Sequence, residues 1–326
     1  MTQRRLEVFS SARARAGGPK PPWLKVRAPG GESYAHLKST LHTLDLHTVC
    51  EEARCPNVGE CWAQGTATVM LLGDVCTRGC RFCAVTSGHP GGVVDPREPE
   101  HTAAAIAELG LRYVVLTMVD RDDLADGGAS HVARTVEALR QRQADLLVET
   151  LTGDFGGRRD DIGTLLAARP DVFAHNLEVT RRLTRRIRDR RCGYDLSLDV
   201  LRFAKDRAPD RFVKSSLMVG VGETNEEVSE ALADLRSVGV DVITIGQYLC
   251  PSPKHAPVDR YVTPDEFAAF AREGYALGFA HVASGPLVRS SYHAAEAFVG
   301  AALRGRGAAQ GPIAGSEREM SSERFE

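Results

Sequence analysis

The chain has 326 residues, 43% of them hydrophobic, and its formal net charge is −2. This near-neutral charge argues against nucleic acid or an anionic membrane as a partner. No apolar run approaches the roughly 20 residues that cross a bilayer, and the N-terminus lacks the apolar stretch of a secretory signal. The cysteines are therefore expected in a reducing cytoplasm, where closely spaced cysteines are more often metal ligands than disulfides.

Both ends of the chain have the composition of disordered segments. Residues 1–18 are polar and rich in arginine and serine, which predicts a disordered leader. The same content faintly resembles a mitochondrial transit peptide, but Glu7 and the absence of a long amphipathic pattern argue against one. Residues 303–326 are rich in glycine, alanine and charged residues without periodicity, which predicts a disordered tail.

Between residues 67 and 282, short apolar runs alternate with longer amphipathic segments. The runs predict strands at 67–73, 113–119, 145–152, 172–178, 213–222 and 242–249. The segments between them predict helices near 101–109, 129–142, 160–169, 179–207, 224–238 and 264–277. Continuous apolar strands separated by helices are typical of a parallel sheet covered on its faces, either an open barrel or a doubly wound sheet. We predict an α/β fold, a partial (β/α)6 TIM-type barrel, with an N-terminal extension over 19–66 and a C-terminal segment over 283–302.

Three cysteines follow the first predicted strand, in the stretch CTRGCRFCA at 76–84. These downstream cysteines, Cys76, Cys80 and Cys83, have the spacing C-x3-C-x2-C, and Gly79 lets the loop turn between them. The chemistry of α/β barrels lies at the C-terminal ends of the strands, so the loop is a candidate active site. Zinc prefers four closed ligands, whereas a 4Fe–4S cluster held by three cysteines leaves one iron open for a substrate. The spacing therefore favours a catalytic iron–sulfur cluster.

Three more cysteines lie upstream, in CEEARCPNVGECW at 50–62. These upstream cysteines, Cys50, Cys55 and Cys61, have the spacing C-x4-C-x5-C, and Pro56 and Gly59 bend the loop. They can also wrap a cubane cluster if a fourth ligand comes from elsewhere in the chain. The two remaining cysteines, Cys192 and Cys250, lie in ordinary sequence contexts and are weak candidates for that ligand.

The downstream cysteines, placed after a first strand, resemble the signature of radical S-adenosylmethionine enzymes. Over residues 20–300 the chain resembles the lipoyl synthase family, through both cysteine sets and through further stretches: KPPWLK (20–25), LRYVVLT (111–117), VDRDDLADGGA (119–129), HNLE (175–178), KSSLMVGVGET (214–224), QYLCPS (247–252), PVDRYVTPDEF (257–267) and GPLVRSSYHA (285–294). One stretch departs from the family pattern, which usually reads RPGA before a tyrosine. Here residues 188–194 read RDRRCGY, and the role of Cys192 is left open.

The resemblance implies a sulfurtransferase that inserts two sulfur atoms into an octanoyl group on a carrier protein and consumes two S-adenosylmethionine molecules per product. It implies a radical-generating 4Fe–4S cluster on the downstream cysteines and a sulfur-donating 4Fe–4S cluster on the upstream cysteines. A serine of RSSY would complete the upstream set, with Ser291 preferred and Ser290 as the alternative. The implied partners are octanoylated lipoyl domains of a 2-oxoacid dehydrogenase E2 or glycine cleavage H protein, an electron donor such as ferredoxin or flavodoxin, and iron–sulfur assembly proteins.

Three segments at predicted strand ends are candidates for binding S-adenosylmethionine. Those at 126–128 and 220–223 match such contacts by position, and the one at 176–178 is interpreted as a nucleoside or substrate contact. Their candidate residues are Asp126, Gly127, Gly128, Asn176, Glu178, Gly220, Gly222 and Glu223. Strand alternation sends Asn176 and Glu178 to the same side, towards a barrel interior. For Asp126, Gly127 and Gly128 the alternative is an ordinary turn between a strand and a helix. Lys214 and Ser215 are weaker candidates.

Some interpretations stay open at this stage. The arginine-rich run at 181–191 reads either as a solvated helix face or as a docking patch for an acidic carrier domain. A different sulfur-inserting radical enzyme with an auxiliary cluster is one rival function. A non-catalytic zinc or iron–sulfur protein is the other, and it would not cleave S-adenosylmethionine.

Overall fold

The computed structural model describes residues 19–24, 47–48 and 66–291, together with Val299 and Ala302. The strands are β1 (His47–Thr48), β2 (Thr66–Leu71), β3 (Val75–Cys76), β4 (Thr86–Ser87), β5 (Tyr113–Met118), β6 (Leu147–Leu151), β7 (Val172–Ala174), β8 (Phe212–Val219), β9 (Val242–Gln247) and β10 (His281–Gly285). The α-helices are α1 (Glu98–Glu108), α2 (Ala129–Arg142), α3 (Arg159–Ala167), α4 (Arg181–Ile187), α5 (Tyr194–Arg207), α6 (Asn225–Ser237) and α7 (Pro264–Leu277).

The main sheet has the strand order β1-β2-β5-β6-β7-β8-β9-β10. All its neighbouring strands are parallel except β1, which pairs with β2 in antiparallel register. Within the described ranges, no strand pairing joins β10 back to β1 or β2, so the sheet is an open, partial barrel. The predicted α/β class is confirmed.

The six predicted strands are all present, each within a few residues of its predicted range. The sheet has a further parallel strand, β10, which the sequence pattern did not predict. The prediction of one helical segment over 179–207 is wrong in one respect. Residues 188–193 are not helical and separate two helices, α4 and α5. That break brings the turn between the two helices to the C-terminal edge of the sheet. The proposed domain boundaries stay predictions.

The two faces of the strands pack against different partners. Alternate residues turn outwards and form the large core with the helices, as Leu116 and Leu217 do. The others turn into the barrel, where Tyr113, Val115 and Phe212 pack together with Val299. This alternation follows from the two-residue period of a strand. Helices therefore cover one face, while the barrel interior stays available at its C-terminal end.

The last two helices each begin with a capping box. The Thr224 hydroxyl accepts from the Glu227 amide at the start of α6, and the Thr263 hydroxyl accepts from the Glu266 amide at the start of α7. Each glutamate bonds back to the cap residue and completes a capping box. Among the residues that the structure describes, no helix is both long and apolar enough to cross a membrane.

Candidate active site

The loop of downstream cysteines is closed by a short strand pair. β3 and β4 pair in parallel, with Cys76 opposite Ser87, and the Gly88 amide donates to the Cys76 carbonyl at 2.9 Å. The Thr77 amide donates to the Asp120 carbonyl at 2.9 Å, which attaches the loop to the end of β5. The residues between the two short strands are thus held as a compact loop above the C-terminal edge of the sheet.

A buried arginine anchors this loop to the ends of the strands. Arg78 is 4% exposed, and its guanidinium donates to both carboxylate oxygens of Asp154 at 2.7 Å and to Asp122 at 2.9 and 3.0 Å. Burial disfavours the charged forms of both side chains. The hydrogen bonds between Arg78 and Asp154 outweigh it, raising the pKa of the arginine and lowering that of the aspartate. Because such bidentate pairs are strong and directional, Arg78 fixes the loop relative to the strand ends.

The three downstream cysteines line one cavity of about 230 Å³ at the C-terminal ends of the strands. Its wall also includes polar and charged side chains: Arg78, Thr117, Asp120, Thr152, Asp154, His175, Asn176, Glu178, Arg188 and Ser290. The apolar part of the wall comes from Met70, Phe82, Val85, Met118, Val119 and Leu151. The cavity therefore joins the cysteine loop to the barrel interior.

The chemistry of these donors fits an iron–sulfur cluster. The Arg78 amide donates to Cys76 Sγ at 3.4 Å and the Asp189 amide donates to Cys80 Sγ at 3.2 Å, as amides commonly do to cluster thiolates. Burial and the nearby Asp120 carboxylate raise the pKa of the Cys76 thiol to about 11, and burial also raises the pKa of Cys83. A cluster binds thiolates, so these protons leave when it is bound. Cys76, Cys80 and Cys83 would each hold a separate iron.

Two predicted S-adenosylmethionine contacts, Asn176 and Glu178, lie in the wall of this cavity. The Asn176 amide group donates to Glu178 Oε1 at 3.0 Å. Burial raises the pKa of Glu178, and the Arg188 charge partly opposes that shift. Glu178 has a φ of 71°, a left-handed conformation that is uncommon for a residue with a side chain. Strained backbone of this kind is frequent at functional sites.

The structure does not bring the other predicted contacts into the cavity wall. The Asp126 carboxylate accepts from the amides of Gly128 and Ser130 at 2.9 Å, and Gly128 caps the start of α2 with a φ of 90°. The buried Glu223 carboxylate accepts from the amides of Gly220 and Val221 and closes the turn after β8. Gly222, with a φ of 109°, completes that turn. Their assignment to S-adenosylmethionine stays a prediction.

The serine-bearing C-terminal segment reaches the same cavity. Ser290 contributes to the cavity wall, and Ser291, the preferred ligand, is half-buried and follows it. Arg289 donates to the Gln247 carbonyl at 3.1 Å, which holds the segment against the end of β9. The upstream cysteines Cys50, Cys55 and Cys61 lie outside the described residues, so their relation to either serine stays a prediction.

Several cavity residues were missed or left unassigned by the sequence analysis. Arg188 belongs to the arginine-rich run, yet it is 7% exposed and donates to Ser197 Oγ at 2.8 Å. His175, which belongs to the HNLE stretch, contacts the same Ser197 hydroxyl at 2.9 Å. Cys192 is buried in the wall beside Cys80. The tertiary fold alone brings these residues to the cavity. The sequence pattern therefore does not distinguish them from their neighbours.

The weaker candidate Lys214 forms a buried ion pair inside the barrel and does not line the cavity. Its ammonium group lies 2.8 Å from both carboxylate oxygens of Glu149, and both side chains are buried inside the barrel. Tyr113 donates its hydroxyl to the same carboxylate at 2.7 Å. Ser215 is fully buried and accepts from the Leu177 amide at 3.1 Å. Neither residue is part of the cavity wall described above.

Comparison with known proteins agrees with this fold. The model of the radical SAM superfamily matches residues 70–235. Methylornithine synthase (PylB) is similar in structure with a TM-score of 0.52 and 15% identity, over 78% of this chain and 83% of that chain. The maturase HydG from Carboxydothermus hydrogenoformans has a TM-score of 0.51 and 14% identity, over 72% and 66% of the two chains. At such identities these structures share the fold alone, and with the family model they define a radical SAM protein.

Curated relatives narrow this class. The lipoyl synthase of Sorangium cellulosum is 64% identical over 89% of this chain and 82% of its own length. That of Thermus thermophilus is 56% identical over 87% and 88% of the two lengths. The model for the N-terminal domain of lipoyl synthase also matches, at residues 10–55. The chain belongs to the lipoyl synthase family of the radical SAM superfamily.

Proposed function

We propose that this protein is a lipoyl synthase that inserts two sulfur atoms into an octanoyl group carried by a protein, consuming two S-adenosylmethionine molecules per product. In this proposal the downstream cysteines hold the radical-generating cluster. The upstream cysteines, completed by Ser291, hold the cluster that supplies the sulfur. Membership of the family supports the overall activity, since the curated relatives named above are lipoyl synthases.

The observation that best supports the sulfur-transfer chemistry is the position of the RSSY segment. Ser290 and the three downstream cysteines share one cavity wall, although the two segments are far apart in sequence. A radical formed on the substrate must meet its sulfur donor before it reacts elsewhere. A donor held by the neighbouring Ser291 would lie close to this cavity.

The residues of the chain provide binding and orientation, while the bound groups supply the radical and the sulfur. Arg78, paired with Asp154, holds the cysteine loop at the strand ends. Asn176 and Glu178 offer polar contacts for S-adenosylmethionine. The apolar residues of the wall, such as Met118 and Leu151, suit an alkyl chain.

The partners follow from this proposed activity. The substrate would be an octanoylated lipoyl domain of a 2-oxoacid dehydrogenase E2 or glycine cleavage H protein. Ferredoxin or flavodoxin would provide the electron, and iron–sulfur assembly proteins would rebuild the donor cluster. A reducing cytoplasm, as predicted from the sequence, would keep the cysteine ligands reduced.

The test separates the two cysteine sets under anaerobic conditions. The reconstituted chain should bind about eight iron atoms, release 5′-deoxyadenosine and add two sulfur atoms to an octanoylated carrier. Cys80→Ala should abolish both reactions. Cys55→Ala should still release 5′-deoxyadenosine but transfer no sulfur. Iron content, nucleoside release and carrier mass are measured on the same samples.

Cys250→Ala is the matched control, because Cys250 donates to the Ser252 carbonyl and is not part of the cavity wall described here. It should behave as the unmodified chain. Zinc without iron, together with no cleavage of S-adenosylmethionine, would instead identify a non-catalytic metal-binding protein. Cleavage with no sulfur gain on any octanoylated carrier would indicate a different radical enzyme.

A further inference from the structure

Cys192 is a buried thiol beside the downstream cysteines, and the proposed function gives it no role. It lies in the turn between α4 and α5, is 7% exposed and lines the cavity together with Cys80. The Cys192 amide donates to the Asp189 carbonyl at 3.0 Å, which shapes the turn. The cavity wall therefore contains four thiols, one more than the C-x3-C-x2-C spacing supplies.

The side chains of Cys80 and Cys192 face each other in the cavity wall and interact directly. Each sulfur also accepts a hydrogen bond from the opposite segment: the Asp189 amide donates to Cys80 at 3.2 Å, and the Arg78 guanidinium donates to Cys192 at 3.4 Å. The Gly79 amide donates to the Asp189 carboxylate at 2.9 Å. These contacts hold the two sulfurs together from both sides.

Cys76 and Cys250 have different contacts. Cys76 Sγ accepts from the Arg78 amide at 3.4 Å, and Cys250 donates to the Ser252 carbonyl at 3.0 Å. A disulfide needs two sulfur atoms about 2 Å apart, so it forms most readily between side chains that already face each other. The geometry thus favours Cys192 as the oxidation partner of Cys80.

We propose that Cys80 and Cys192 form a reversible disulfide when a peroxide reaches the chain without its radical-generating cluster. The Cys192 thiolate attacks the peroxide and becomes a sulfenic acid, with release of water after proton transfer. The Cys80 thiol then attacks that sulfur, forming the S–S bond and releasing a second water. Two thiols lose two electrons and two protons, and one hydrogen peroxide becomes two water molecules.

The consequence is protection of a cluster ligand. Further oxidation of a lone thiol gives sulfinic and sulfonic acids, which thiol reductants do not reverse, whereas a disulfide is restored by thiol exchange. Cluster binding at Cys80 and the disulfide exclude each other, because both use the same sulfur. The oxidised chain can therefore be reloaded only after reduction. This inference rests on the proposed function only for the assignment of Cys80 as a ligand.

The test uses the full-length chain, stripped of iron by a chelator with reductant present and then exposed to a small excess of hydrogen peroxide. Peptide mapping under non-reducing conditions should show a Cys80–Cys192 cross-link as the main product. Dithiothreitol should remove it, and subsequent reconstitution should restore the original iron content. The assay measures covalent connectivity and iron, so its outcome is separate from that of sulfur insertion.

Cys192→Ser should lose the cross-link, and its iron recovery after peroxide and reductant should fall several-fold, with Cys80 found as sulfinic or sulfonic acid. Cys250→Ser, the matched control, should behave as the unmodified chain. A main cross-link between Cys80 and either Cys76 or Cys83 would overturn the proposal. Equal iron recovery in Cys192→Ser and the unmodified chain would overturn it as well.

Discussion

Arg78 and Asp154 form a buried bidentate ion pair, with both N–O distances at 2.7 Å, across 76 residues of sequence. Arg78 lies in the loop of downstream cysteines, and Asp154 follows β6. The pair therefore connects the cysteine ligands directly to the parallel sheet. A bidentate geometry fixes orientation as well as distance, so this contact sets how the loop faces the cavity.

The first prediction concerns this pair. Asp154→Ala should lower the free energy of unfolding by about 3 kcal/mol, because it leaves a buried guanidinium with less compensation. The loop should also lose its anchor, so iron loading should decrease. Urea unfolding and iron content test both effects. Asp95→Ala, which removes an exposed ion pair with Arg97, should change neither. Unchanged unfolding and iron loading in Asp154→Ala would contradict the anchoring role.

The buried pair inside the barrel makes a second prediction. Lys214→Met should destabilise the chain by about 4 kcal/mol, because the Glu149 carboxylate remains buried without its cation. The double variant with Glu149→Gln should recover much of that loss, since it removes the charge and can still accept from Tyr113. Urea unfolding of the single and double variants gives the coupling energy. Additive losses would show that the two charges act independently.

The third prediction is a pH dependence of stability. Burial, with the Arg188 charge, lowers the pKa of His175 to about 4 from its usual 6.5. The unfolded chain therefore binds the proton more readily, and stability is lost as the pH falls from about 6.5 towards 4. Between pH 7 and 5 this one group should cost about 2 kcal/mol.

The test compares the urea unfolding of the unmodified chain and His175→Gln at both pH values. The variant lacks the titrating group, so its loss of stability between pH 7 and 5 should be smaller by about 2 kcal/mol. Carboxylates elsewhere contribute equally to both chains and cancel in the difference. An identical loss in the two chains would mean that His175 titrates normally in the folded state.

The fourth prediction concerns the two serines of RSSY. Ser291→Ala should accelerate loss of the donor cluster and abolish sulfur insertion, while 5′-deoxyadenosine still forms. Ser291→Cys should keep that cluster, because thiolate suits iron better than a serine oxygen, but it should impair sulfur release. Ser290→Ala is the control and should be milder. Iron content and carrier mass distinguish the variants, and full sulfur insertion by both alanine variants would eliminate a serine ligand.

The fifth prediction uses the close approach of the C-terminal segment to β9. A Cβ atom at Gly246 would lie 2.1 Å from the Val288 carbonyl oxygen, so Gly246→Ala should displace the segment that leads to Ser290. Sulfur insertion should decrease more than S-adenosylmethionine cleavage. Gly163→Ala in α3 has open space around it and should stabilise the chain by up to about 1 kcal/mol. Equal losses of cleavage and insertion in Gly246→Ala would argue against a local displacement.

Much of the fold could be predicted from local patterns. The apolar runs indicate six of the parallel strands because burial on both faces requires continuous hydrophobic residues. Thr224 and Thr263 mark helix starts because capping depends on residues only three positions apart. β10 was missed because HVASG, at 281–285, has too few large apolar residues to resemble a buried strand. The break between α4 and α5 was missed because the arginine-rich run has no clear stop signal.

By itself, the sequence determined the fold class and the spacing of both cysteine sets, since these depend on residues near one another in the chain. The tertiary structure decided which distant residues share the cavity: Asp154 beneath Arg78, Cys192 against Cys80, and Ser290 in the same wall. The physical reason is that parallel strands bring their C-terminal ends to one edge whatever their separation in sequence. Local periodicity determines that each loop reaches this edge, whereas the order of strands and the packing of the loops determine which side chains meet there.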